Sequence, residues 1–131
     1  MRLTLEILDQ EVAVVRLVSC AELPAWFNWR TQPIASVTRT VDETSLVFPS
    51  ALVPPDAVAE RGWRVIKVRG PLPFSLTGVL HSILTPLAAA GISIFTVSTY
   101  DTDYVLVGCE NLSRALAALR PGFEIIPVAS V

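Results

Sequence analysis

The sequence predicts an α+β protein: a complete ferredoxin-like βαββαβ unit in the second half of the chain, preceded by a shortened copy of the same plan. Three observations carry this. Residues 75–90 place Leu76, Val79, Leu80, Ile83, Leu84 and Leu87 at the i, i+3, i+4, i+7, i+8 and i+11 offsets of one helix face. Around that helix, β-branched and aromatic runs give the order strand, helix, strand, strand, helix, strand, which is the split βαβ arrangement. Finally, VTRTVDETSLVF (37–48) repeats the shape of STYDTDYVLV (98–107): a strand, a Thr, a polar turn with an Asp, another strand. Thr40 falls on Thr99 and Asp42 on Asp101.

Taken in order, residues 3–8 and 12–18 are strand-like runs around Asp9-Gln10-Glu11, which read as a hairpin. In 20–33, Pro24 can open a short helix carrying Trp26, Phe27 and Trp29. These aromatics form either a stacking wall for a ligand or, more simply, a plug for a core end that lacks a longer helix. Residues 34–40 and 45–48 are strands joined by a polar turn, and the Pro-rich stretch 49–61 is a loop with one helical turn. The alternating segment 63–69 is the next strand. Ser75 suits the N-cap of the long helix, Gly91 its left-handed end, and Pro86 a kink near that end. Strands at 92–99 and 103–108 follow, joined through Tyr100-Asp101-Thr102-Asp103. Asn111 caps a helix to 119 whose buried side is Leu112, Ala115, Leu116 and Leu119, and 123–128 is the last strand. The repeat sets a boundary near 60–62, giving a degenerate unit over 1–61 and a complete one over 62–131.

Composition narrows the function. The 131 residues carry a formal net charge of −2 with charges scattered singly, so no basic face is available for nucleic acid. No apolar run approaches the roughly 20 residues of a spanning helix, and MRLTLEILDQE lacks a signal peptide's apolar centre. A cytoplasmic protein without membrane contact is expected. Cys20 and Cys109 lie far apart without metal or redox spacing and read as free, half-buried thiols. The apolar fraction of 52% predicts that a second copy covers part of the surface, so a homodimer is expected. His81 is the only histidine, on the polar side of the helix with Thr77, Ser82 and Thr85, and no acid or thiol stands at a helical offset from it. With no phosphate loop, dinucleotide fingerprint or zinc spacing either, the reading is a non-enzyme without cofactor or metal.

FSLTGVLHSILTPLAAAGISIF followed by VSTYDTDYVLV resembles the ACT domain, and SVTRTVDETSLV with ERGWRVIKVRGP resembles a shortened first ACT repeat. The likeness covers most of the chain and is strongest to the tandem-ACT group of small bacterial proteins and the animal CASTOR-type arginine sensors. It implies a regulatory sensor for an amino acid or related metabolite, held at an interface between ACT domains. By motif the positions implied are Phe74, Ser75, Leu76, Thr77 and Gly78 before the helix, and Ser98, Thr99, Tyr100, Asp101 and Asp103 in the hairpin. Many ACT domains are fused to an enzyme they regulate. No catalytic domain is present in this sequence, so a regulated partner protein is a further expectation.

The residue chemistry can be read independently of that likeness. An amino acid needs an anion site and a cation site. Free amides at Leu76, Thr77 and Gly78, at the positive end of a helix, suit a carboxylate. Asp101 or Asp103 suits the ammonium, with Ser98 or Thr99 completing the shell. The two segments need not meet within one domain, which favours an interfacial site. The bland alternative makes Ser75 a cap, Gly78 a packing residue and both aspartates ordinary turn residues. Two function classes stay open: a ligand-binding regulatory module, and a protein–protein interaction module without a ligand.

Overall fold

The computed structural model describes residues 2–74 and 76–128. They fall into two compact units, residues 2–9 with 64–128 and residues 10–63. Residues 2–9 thus lie with the second half of the chain, whereas the repeat assigns them to the first. The strands are β1 (Thr4–Leu17), β2 (Ser36–Arg39), β3 (Thr44–Pro49), β4 (Ala59–Val68), β5 (Ile94–Ser98), β6 (Asp103–Gly108) and β7 (Glu124–Val128). The helices are α1 (Val79–Ala89) and α2 (Leu112–Leu119).

The expected hairpin at Asp9-Gln10-Glu11 does not form; β1 runs through it as one strand of 14 residues. The reason is chemical. The tripeptide holds neither Gly nor Pro nor an Asn-Gly pair, so nothing drives the chain out of the extended region. Both β1 and β4 contribute residues to each unit.

In the larger unit the strand order is β7–β1–β4–β6–β5. The sheet was expected to have four antiparallel strands; it has five, because the first half of β1 enters between β4 and β7. β1 runs parallel to β7, with Thr4 opposite Glu124 and Leu8 opposite Val128. It runs antiparallel to β4: the Arg69 amide donates to the Thr4 carbonyl at 2.9 Å, and the Arg64 guanidinium reaches the Leu8 carbonyl at 2.9 and 3.3 Å. The core joins Leu5, Ile7, Ile66, Val68, Val105 and Val107 of the sheet to Val79, Ile83 and Leu87 of α1 and Ala115 and Leu119 of α2. Each large side chain fully buried there contributes about 1.5–3 kcal/mol.

α1 begins three residues later than the Ser75 cap predicts. Gly78 is its N-cap, in a left-handed conformation with φ 78° and ψ 0°, and so precedes the first turn instead of lying inside it. Leu76 is therefore off the helix and exposed. The other end follows the sequence reading. Gly91 has φ 71°, its amide donates to the Ala88 carbonyl at 3.0 Å, and the Ile92 amide reaches back to Leu87 at 3.0 Å. That pair of bonds is the Schellman motif. Pro86 lies within the helix.

In the smaller unit the order is β4–β1–β3–β2. β3 pairs antiparallel with β1, Val12 opposite Pro49, and with β2, Ser36 opposite Val47. No α-helix forms among residues 10–63. At Pro24 the expected helix is only a turn, closed by the Phe27 amide on the Pro24 carbonyl at 3.0 Å, with a 3-10 turn at Trp29–Thr31. Phe27 and half-buried Trp26 pack on Phe48, with ring centroids 4.7 and 5.8 Å from it, and so fill the core end. Trp29 does not join them; it is 53% exposed under the Arg30 guanidinium. Cys20 and Cys109 are both exposed, not half-buried, because each follows a strand end beyond the packed rows.

Candidate functional site

The site grows from the hairpin of β5 and β6. Their ladder runs from Ile94 opposite Val107 to Ser98 opposite Asp103. At its end Thr99 closes the turn on itself. Its amide donates to the Thr102 carbonyl at 2.8 Å, its hydroxyl donates to the same carbonyl at 3.1 Å, and that hydroxyl accepts the Thr102 amide at 3.2 Å. The Ser98 hydroxyl donates to Asp103 Oδ1 at 2.6 Å and fixes that carboxylate. Both hydroxyls expected to complete a ligand shell are thus engaged within the hairpin.

The chain leaving β4 is tied to this turn. Buried Thr102 donates its hydroxyl to the Val68 carbonyl at 2.6 Å, and the Leu72 amide donates to the Asp101 carbonyl at 2.8 Å. The pre-helix loop and the hairpin turn therefore face each other within one unit, where the sequence reading had looked to an interface to bring them together. Between them lies a cleft of about 150 Å³, open to solvent. That is smaller than the roughly 300–1,000 Å³ of drug-sized sites, so it encloses a small ligand only in part.

Of the expected residues, Phe74, Leu76, Thr99, Tyr100, Asp101 and Asp103 line the cleft. Thr77, Gly78 and Ser98 do not, and Ser75 lies outside the described residues. Leu72, Pro73, Val79 and Thr102 also line it and were missed; nothing in the sequence marks Leu72 or Thr102 as wall residues. The Leu76 amide is not free, since it donates to the Pro73 carbonyl at 2.9 Å. With the helix starting at Val79, the amides lacking an intrahelical partner are those of Val79, Leu80 and His81; the Ser82 amide makes the first helical bond, to Gly78.

Two carboxylates and no basic side chain are among the described lining residues, so the cleft favours a cation. At its mouth the Phe74 and Tyr100 rings, 80% and 82% exposed, meet with centroids 5.2 Å apart. Among the described residues no group of three or more His, Cys, Asp or Glu could hold a metal. No described helix is long and apolar enough to cross a membrane.

The family model for the ACT domain matches residues 58–121, which include β4, both helices and the β5–β6 hairpin. A crystallised protein from Agobacterium tumefaciens is 34% identical to this chain, with TM-score 0.89 over 98% of this chain and 95% of that one. The chain belongs to the ACT domain family. The cytosolic arginine sensor for mTORC1 subunit 1 of Homo sapiens is 35% identical over 79 residues, 60% of this chain. This ACT protein spans only 24% of that relative's length. The regulatory subunit of aspartate kinase from Thermus thermophilus shares the fold at TM-score 0.59 and 15% identity, over 88% of this chain and 95% of that one. Every element bordering the cleft lies in the part matched to the ACT family.

Proposed function

We propose that this ACT protein is a non-catalytic, cytoplasmic regulatory module that binds an amino acid in the cleft between the pre-helix loop and the hairpin turn. The observation that carries the reading is the cleft's composition: Asp101 and Asp103 beside the amino end of α1, with no base among the described lining residues. Asp103, held by Ser98, receives the ligand ammonium, and Asp101 adds a second negative charge. The carboxylate end lies toward the Val79 amide, at the positive pole of α1. A second cation on the ligand suits the surplus of negative charge, which makes L-arginine, named in the relatives' description, the first ligand to test.

A second copy of the chain completes the site in this reading. β5 is the last strand of its sheet, its sequence IFTVS holds no charge or proline to block further pairing, and it ends at the cleft. The ligand is then held at an ACT–ACT interface, and occupancy is read out by a regulated partner protein.

The exposed Phe74–Tyr100 pair supports a second reading, an interaction module that has lost its ligand, because two touching aromatics so open to water suit a protein contact. A thermal-shift screen against the standard L-amino acids separates the two. A ligand at 100 times its dissociation constant adds about 2.7 kcal/mol of stability. No shift with any amino acid would leave the interaction module standing.

A further inference from the structure

Nothing in the family assignment gives Gly70 a role. It is the residue between the end of β4 and the loop that forms one wall of the cleft. A Cβ at this position would lie 3.1 Å from the Asp101 carbonyl oxygen, 3.2 Å from Thr102 Cβ and 3.3 Å from the Leu72 amide nitrogen. All three are backbone or Cβ atoms, so no rotamer change moves them aside. A methyl here must push the hairpin turn away from the pre-helix loop. Asp101 and Thr102 line the opposite wall, and Leu72 lines the near one.

We propose that Gly70 is a positioning residue that sets the width of the cleft. Its missing side chain lets the loop seat directly on the hairpin backbone, which keeps the Leu72–Asp101 bond at 2.8 Å and fixes the aspartates opposite the start of α1. The inference rests on the amino-acid reading of the same cleft, but half of its test does not need a ligand.

The experiment compares wild type, Gly70→Ala and Gly122→Ala, the last having nothing within 4 Å of its would-be Cβ. Amide hydrogen exchange on the ligand-free proteins comes first. The Leu72 amide should exchange faster in Gly70→Ala, while the Ile66 and Val105 amides at the sheet centre keep their rates. Calorimetric titration with L-arginine follows, well below the melting temperature. Gly70→Ala should bind roughly tenfold more weakly, and Gly122→Ala as wild type. A role in packing alone would lower the melting temperature and leave the affinity of the folded protein unchanged. Unaltered exchange at Leu72, or wild-type affinity in a folded Gly70→Ala, overturns the assignment. Failure of wild type to bind any amino acid instead removes the functional reading beneath it, and the inference falls with it.

Discussion

At the residue scale the centre of interest is Asp103, half-buried and braced by Ser98. Asp103→Asn keeps the shape and the Ser98 bond but removes the charge. A hydrogen bond to a charged group contributes roughly 1.5–3 kcal/mol, so ligand affinity should fall about ten- to a hundredfold in a calorimetric titration. The ligand-free protein should keep its stability within about 0.5 kcal/mol. If affinity is unchanged, the ammonium is held by Asp101 instead, and Asp101→Asn should show the loss. A Thr lies beneath this arrangement. Thr102 and Thr44 are the buried polar residues among those described, and each bonds the carbonyl of a residue just past or at a strand end, Val68 at 2.6 Å and Ser19 at 3.1 Å. Thr102→Val should cost about 1–3 kcal/mol in urea denaturation, because the Val68 carbonyl loses its donor without gaining water. Neither threonine announces itself in the sequence: between two aspartates, Thr102 reads as one more turn residue, and only burial shows that it is a tie.

At the scale of elements, the repeat legible in the sequence has a physical counterpart. Thr40 accepts the Asp42 and Glu43 amides at 3.1 and 3.2 Å and donates its own amide to the Glu43 carbonyl at 2.9 Å. Thr99 closes its turn in the same way, so the alignment of Thr40 with Thr99 marks one turn device used twice. α2, the hairpins and the Gly91 end of α1 were legible because each has a local cause, an apolar face or a residue that must turn. The start of α1 was misread because Ser75 fits a cap by type, while the left-handed state of Gly78 depends on how the chain arrives through the loop after β4. The β1 hairpin was misread because a polar tripeptide can also lie on an extended strand. Half of the cleft was legible as a motif; its other wall, Leu72 and Pro73, is defined only by contact. α1 also has a tie that the sequence hides. Arg114 bonds the Ala90 carbonyl at the negative end of the helix and Asn111 Oδ1 at 2.9 Å. Arg114→Ala should lower stability by about 0.5–1.5 kcal/mol. Urea denaturation checks it, with Arg114→Lys expected to retain part of the effect.

At the scale of the whole molecule, a sequence that is 52% apolar and an unprotected β5 edge lead to the expectation of a homodimer. Sedimentation at micromolar concentration should report twice the 14.2 kDa chain mass. A single-chain species alone would remove the interfacial form of the site while leaving the cleft itself in place. The seating of β1 between β4 and β7 has a consequence of another kind, in time. Thr4–Leu8 pair with Glu124–Val128, so this half of β1 meets one of its two neighbours only after β4, both helices and the hairpin have been synthesised. Contacts so distant in sequence close slowly, since the entropy of a long loop is lost before any pairing compensates it. On the ribosome, β1 must wait with one edge open while β4, the helices and the hairpin assemble beside it. During synthesis, the cleft-bearing sheet can therefore be complete only once β7 has been made.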